Sequence, residues 1–176
     1  MSRIFFAPSK YVQGAGAITS IGKYAETLGK KALLVGGETA LSNCKETIQT
    51  CLHEKNLACH QELFGGECAD REINRLVSVC KDQEIDFVIA AGGGKVIDTG
   101  KSVSHEMKIP IIVVPTTAAT DAPCSSEAVI YTEDGVFERE IVLARNPDCV
   151  LVDTAIIAKA PTALLVSGMG DPLATY

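Results

Sequence analysis

The stretch AAGGGKVID at residues 90–98 has the residue types of a phosphate-binding turn. It follows an apolar run and precedes a helical pattern, so Gly93, Gly94 and the free amides at the start of that helix could approach a phosphate closely. Lys95 adds a positive charge beside them. The spacing matches neither the dinucleotide fingerprint nor the triphosphate-binding loop. The stretch therefore predicts pyrophosphate binding of a general kind, and the alternative is that the glycines only form a tight strand-to-helix turn.

A second polar stretch, PTTAATDAPCSS at residues 115–126, follows the next apolar run. Its hydroxyls, including those of Thr116 and Ser125, could line a site for a polar ligand, and Asp121 is its one charged residue. In such a loop, an aspartate is also a common turn former or helix cap. Residues 116–138 contain no Lys or Arg, which argues against a phosphorylated substrate bound by this loop.

The elements that must position these loops alternate between strand and helix. Apolar or alternating runs at 31–37, 57–64, 86–91 and 109–115 predict strands, and helical periodicity follows each of the first three. Two β-like runs around Glu133-Asp134-Gly135 predict a hairpin, and NPDCVLVD predicts another strand. We therefore expect an α/β fold, a Rossmann-like doubly wound parallel sheet with a β-hairpin insertion. In such sheets ligands bind beyond the carboxyl ends of the strands, where both loops would lie.

The end of the chain, SGMGDPLATY, has the residues of a helix start. Gly170 and Asp171 precede Pro172, and proline suits the first helical position because it has no amide hydrogen to leave unpaired. The pattern is helical from Pro161 onwards. The pattern therefore predicts a helical segment after Pro161, at the end of the alternating strands and helices.

Composition limits the classes of partner. The chain has 176 residues, 47% of them hydrophobic, which favours one folded domain. A net charge of -6 leaves no basic excess to neutralise the phosphates of a nucleic acid or an anionic membrane. The longest apolar run, IPIIVVP, is far too short to span a bilayer. We expect no nucleic-acid partner, no membrane partner and a cytoplasmic protein.

The seven cysteines form no CxxC pair, and their odd number disfavours a disulfide framework. Cys44, Cys51 and Cys80 fall on the apolar stripes of predicted helices, so we interpret them as small buried side chains. The three histidines lack the spacing of a helical metal-binding pair.

Seven segments together carry a resemblance to a known family. In chain order they are SRIFFAPSKYVQG, FGGEC, GGGKVIDTGK, PTTAATDAPCS, IYTEDG, NPDCVLVDT and GMGDPLATY. They resemble the amino-terminal half of the bacterial glycerol dehydrogenases, within the iron-containing alcohol dehydrogenase superfamily. The resemblance implies an NAD-binding α/β domain over residues 1–161. It also implies a following helical domain that supplies most of a metal site, and residues 162–176 would be the start of that domain in truncated form.

The resemblance also implies roles for single residues. Asp121 would hydrogen-bond the hydroxyl of glycerol or a similar polyol, and Asp171 would be a Zn²⁺ ligand. Two positions depart from the family pattern. Gly37, with Glu38 beside it, stands where an aspartate often holds the adenosine ribose. Glu127 stands where the family usually has an apolar residue near the nicotinamide. Gly37 thereby leaves the choice between NAD and NADP open, although Glu38 favours NAD. The implied dinucleotide contacts are Gly37, Gly93, Gly94, Lys95, Asp98, Thr116, Ala119, Ser125, Glu127 and Tyr131.

The implied reaction is zinc-dependent oxidation of glycerol to dihydroxyacetone with NAD, by a longer parent protein that is a homo-oligomer. The other two zinc ligands of the family are histidines beyond Tyr176. We therefore expect this chain alone to bind NAD weakly at best and not to oxidise glycerol. Two alternatives stay open: a naturally short, non-catalytic dinucleotide-binding module, and a related metal-dependent alcohol or diol dehydrogenase.

Overall fold

A computed structural model of the chain describes residues 7–174. The first and last of the seven resemblance segments, and the ends of both expected domains, extend in part outside these residues. The strands are β1 (Tyr11–Gly14), β2 (Lys31–Gly36), β3 (Ala58–Leu63), β4 (Phe87–Gly92), β5 (Ile111–Pro115), β6 (Glu127–Tyr131), β7 (Phe137–Val142) and β8 (Cys149–Asp153). The α-helices are α1 (Ile21–Ala25), α2 (Glu38–Glu54), α3 (Asp70–Asp82), α4 (Gly94–Met107), α5 (Thr154–Ile157) and α6 (Thr162–Ala174), and a 3₁₀ helix spans Ala17–Ser20.

The main sheet has six strands in the order β1-β8-β5-β4-β2-β3, and every neighbouring pair is parallel. Its central strands are buried along their whole length because both faces of the sheet are covered by helices. This confirms the expected Rossmann-like doubly wound sheet. None of the helices in residues 7–174 is long and apolar enough to cross a lipid bilayer.

The two faces of the sheet each support a core. Along β2, Ala32 and Leu34 pack on the side of α1 and α2, while Leu33 and Val35 pack on the side of α3 and α4. This alternation follows from the two-residue period of a strand. The buried residues of the second core include Ile130 of the hairpin.

The hairpin prediction is confirmed: β6 and β7 pair antiparallel. Gly135 lies in the turn with φ of 79°, a left-handed conformation that glycine adopts without strain. The hairpin is a separate two-stranded sheet that packs against α4, so it lies next to the glycine-rich turn.

The predicted helix start before Pro172 is wrong. Helix α6 begins at Thr162 and runs through Gly170, Asp171 and Pro172 to Ala174. The first turn of the helix already forms near Pro161, whose carbonyl accepts the amide of Leu164. Pro172 comes near the end of the helix, where its missing amide hydrogen removes only one intrahelical hydrogen bond. Helicity after Pro161 is confirmed.

Candidate nucleotide and substrate site

The candidate site lies where the strand order reverses. The chain passes from β3, at one edge, across β2 to β4, so the reversal lies between β2 and β4. Gly37 follows β2 and Gly93 follows β4, so both lie at carboxyl ends that flank the reversal. Open α/β sheets bind their ligands at this position.

Two cavities at this edge of the sheet are lined by the predicted site residues. The first, which we call the switch-point cavity, has a volume of about 420 Å³. The second, which we call the loop cavity, has a volume of about 560 Å³ and lies between α4, residues 119–122, the hairpin and α6. Every site residue predicted from the sequence lines one of them. The switch-point cavity has Gly37, Gly93 and Thr116, and the loop cavity has Gly94, Lys95, Asp98, Ala119, Asp121, Ser125, Glu127, Tyr131 and Asp171.

The glycine-rich turn brings backbone close to both cavities. Gly93 is the N-cap of α4 and has no side chain to bond the first-turn amides, so these remain available to a ligand. A Cβ on Gly94 would lie 3.1 Å from Cγ2 of Thr120, and one on Gly93 would lie 3.6 Å from Oγ1 of Thr117. The turn is thus narrow where the two loops meet, and the dipole of a 14-residue helix favours an anion there.

A buried lysine that the sequence analysis missed holds the wall of the loop cavity. Lys101 is 2% exposed, and its Nζ lies 2.9 Å from Oδ1 of Asp98. The same ammonium donates to the carbonyls of Ala122 and Glu127 and to Oγ of Ser125. Because a buried ammonium needs such partners, Lys101 fixes residues 122–127 against α4. The sequence offered one indication of this role, because Lys101 falls on the buried face of the helix predicted after the glycine-rich turn.

Asp98 contacts β6 as well as Lys101. Its Oδ2 accepts the amide of Val129 at 3.1 Å. Burial raises the pKa of Asp98, while the charge of Lys101 acts in the opposite direction. The carboxylate therefore joins α4 to the hairpin, and through it Glu127 and Tyr131 are held at the cavity.

Two carboxylates face each other where α6 meets the loop. The amide of Asp121 donates to Oδ2 of Asp171 at 2.9 Å. Burial, and then the negative charge of Asp171, raise the pKa of Asp121. The helix approaches this closely because residue 168 is glycine: a Cβ there would lie 1.9 Å from the carbonyl oxygen of Ala118. Asp121 and Asp171, far apart in sequence, are thus brought together.

Lys95 is held at the rim of the loop cavity by a partner that the sequence analysis also missed. Its Nζ donates to Oε2 of Glu67 at 2.5 Å and lies 5.2 Å from the centre of the Tyr131 ring. Glu67 belongs to the FGGEC segment, which contributed to the resemblance but was given no role. Spacing alone could not show that residue 67 faces residue 95.

The interpretation of three cysteines as small buried side chains is confirmed. Cys44, Cys51 and Cys80 are buried, and burial raises the pKa of the Cys44 and Cys80 thiols to about 11. Among residues 7–174, no three His, Cys, Asp or Glu side chains are grouped so that they could hold a metal.

The sequence profile of the iron-containing alcohol dehydrogenase family matches residues 8–154. A glycerol dehydrogenase of Citrobacter freundii is 44% identical over all 176 residues, which cover 48% of that protein. A glycolaldehyde reductase of Halobacterium salinarum is 43% identical over the same length, again 48% of that protein. The structure of a probable glycerol dehydrogenase from Sinorhizobium meliloti 1021 superposes with a TM-score of 0.92 at 42% identity, over 99% of this chain and 47% of that one.

The chain therefore spans about half the length of the relatives it matches. The family match covers most of the chain, including the glycine-rich turn, the loop with Asp121 and the hairpin. This protein belongs to the iron-containing alcohol dehydrogenase family.

Proposed function

We propose that this chain is the dinucleotide-binding half of an NAD-linked glycerol dehydrogenase. The observation that carries the proposal is the meeting of the glycine-rich turn with the Asp121 loop at the reversal of the strand order. The 44% identity to a glycerol dehydrogenase supports the same substrate class.

The residues present fit a dinucleotide. Gly93 and Gly94 leave space that side chains would fill, and the α4 amides and Lys95 supply donors and positive charge for a pyrophosphate. The ribose and adenine would lie in the switch-point cavity beside Gly37 and Glu38. Gly37 has no side chain that could accept a hydrogen bond from a ribose hydroxyl, so discrimination against NADP would depend on the carboxylate of Glu38.

The nicotinamide would occupy the loop cavity. Ala119, Ser125, Glu127 and Tyr131 line this space, and Lys101 keeps its wall in place. When bound, the nicotinamide supplies a hydride acceptor for alcohol oxidation. The protein's part is to orient that ring against a polyol whose hydroxyl is hydrogen-bonded by Asp121.

The donor set for zinc is incomplete in the described part of the chain. Asp171 and the nearby Asp121 offer carboxylate oxygens, but a catalytic zinc normally takes three protein ligands. We propose that Asp171 contributes one ligand and that the others come from a second, helical domain. The apolar side chains that α6 exposes, including Leu165, Val166 and Met169, would pack against that domain. The full-length protein would be a homo-oligomer.

A second candidate is reduction of a small hydroxy-aldehyde, favoured by the 43% identity to a glycolaldehyde reductase. The same site would serve, since the reaction is the reverse direction of alcohol oxidation. Residues 116–138 carry no Lys or Arg, which favours an uncharged polyol or aldehyde over a phosphorylated one.

The proposal predicts that the 176-residue chain does not oxidise glycerol, with or without added Zn²⁺, because the described residues do not form a complete metal site. The measurement is NADH absorbance with glycerol and NAD, on a preparation of verified intact mass. Robust turnover would contradict it.

Sequencing of the coding DNA beyond Tyr176 separates the enzyme from a non-catalytic binding module. An in-frame continuation with two suitably placed histidines supports the dehydrogenase. A stop codon together with expression of the short form supports the module.

A further inference from the structure

Glu67 lies at the boundary between the loop cavity and a neighbouring cleft. Its Oε2 accepts from Nζ of Lys95, and its Oε1 accepts the amide of Cys68 at 3.0 Å. The carbonyl of Cys68 accepts the amide of Tyr131 at 2.8 Å. The carboxylate is therefore held by a segment that is itself bonded to β6.

The two members of this ion pair differ in exposure. The side chain of Glu67 is 16% exposed and that of Lys95 is 49% exposed. The hairpin turn backs the carboxylate, since a Cβ on Gly135 would lie 3.3 Å from its Oε2. Glu67 is the fixed partner, and the long, half-exposed lysine is the one free to move.

We propose that Glu67 is an internal counter-ion that occupies Lys95 in the ligand-free chain and competes with the pyrophosphate for it. The inference rests on the proposed nucleotide site. Lys95 is the cation at the start of α4, and a pyrophosphate bound there brings negative charge towards Glu67. Binding therefore requires the Lys95 ammonium to leave the Glu67 carboxylate, and the bound pyrophosphate is repelled by that carboxylate. Glu67 therefore weakens nucleotide binding, and it does so most at low salt, where its charge is least screened.

The test compares NAD binding by the 176-residue chain with that of Glu67→Gln and Glu133→Gln variants, by calorimetry at low salt. Glutamine keeps an oxygen that can accept the Cys68 amide, so the local fold is preserved. Glu133→Gln is the matched control, because it removes one negative charge from the same neighbouring cleft, where Glu133 pairs with Arg71 at 2.9 Å. A thermal melt of each variant verifies folding.

Glu67→Gln is expected to lower the Kd for NAD by about threefold or more, the range of a partly exposed ion pair, and Glu133→Gln to change it much less. The gain should shrink at high salt. This inference would be overturned, and the nucleotide site would stand, if the wild type binds NAD and Glu67→Gln binds it equally tightly or more weakly. An equal gain in affinity in both variants would have the same meaning. Absence of NAD binding by every folded variant would overturn both, whereas binding by Glu67→Gln alone would support both.

Discussion

Asp153 links the segment around Gly16 and Ile18 to the end of β8. Its carboxylate accepts the amides of Gly16 and Ile18, both at 3.1 Å, and caps α5 through the amides of Ala155 and Ile156 at 2.9 and 3.4 Å. The side chain is 2% exposed. One buried carboxylate thus satisfies donors from two segments at the end of β8.

Replacing this carboxylate should destabilise the fold. Asp153→Ala leaves four amides without their acceptor, and we expect it to lower the free energy of unfolding by about 2–4 kcal/mol. Chemical denaturation would measure this change. The control is Asp134→Ala, at an exposed position in a turn, which is expected to change the free energy of unfolding little. A loss for Asp153→Ala no larger than the control's would contradict the network.

The pH dependence of this contribution has a defined sign. Burial alone would raise the pKa of Asp153, but the amides of Ile18, Gly16, Ala155 and Ile156 outweigh burial and lower it. Its stabilisation is therefore present above the unfolded pKa of about 4 and is lost as the pH falls through the lower folded pKa. Below about pH 4, the wild type should lose more stability than Asp153→Asn, as followed by thermal melts; parallel losses would contradict this.

The site residues that belong to a local sequence motif could be predicted, whereas those whose role depends on partners far away in the sequence could not. Gly93, Gly94 and Lys95 form a local pattern, and they do line the two cavities. Lys101 bonds to Ala122, Ser125 and Glu127, which lie 21, 24 and 26 positions further along the chain. Glu67 pairs with Lys95, 28 positions away. No spacing rule relates residues this far apart in sequence. Tertiary contacts of this kind follow from the packing of α4 against the loop and hairpin.

Among the elements, α6 makes the contact that joins Asp171 to Asp121. The contact requires the absence of a side chain at Gly168, whereas a Cβ on Gly170 would meet nothing within 4 Å. The two glycines lie on the same helix, and only the first faces the carbonyl of Ala118. They form a natural pair of test positions.

Gly168→Ala should detach α6 from the loop because the new methyl group would overlap the Ala118 carbonyl. The expected result is faster hydrogen exchange of the Asp121 amide, which has lost its acceptor on Asp171. Gly170→Ala is the control, with exchange unchanged. Equal exchange rates in the two variants would contradict the docking of α6.

Long elements were predictable from their periodicity and short ones were not. Strands β2 to β5, helices α2 to α4 and the hairpin follow from apolar patterns over many residues. Strand β1 has four residues, two of them exposed, and α5 has four, so neither has a distinct pattern. For α6 the local signal was misleading. Proline favours the first position of a helix, which placed the start before Pro172, but the helix begins ten residues earlier, at Thr162.

At the scale of the whole molecule, the fold assembles the candidate site from segments far apart in the chain. Strands β2, β4 and β5 end together, and their following loops form the two cavities. The parallel sheet and its order of strands explain why residues near positions 37, 93 and 121 meet. The proposed substrate chemistry additionally needs a second domain, so nucleotide binding is the function this chain can be tested for directly.

The most direct test is a calorimetric titration of NAD, and separately of NADP, into the mass-verified 176-residue chain and its Gly94→Val variant. We expect saturable, weak NAD binding that Gly94→Val reduces at least about tenfold, because the side chain fills the narrow turn beside Thr120. Gly14→Ala, where a Cβ meets nothing within 4 Å, should bind as the wild type does. A folded chain that binds neither nucleotide, or binding that is indifferent to Gly94→Val, would contradict the proposed site.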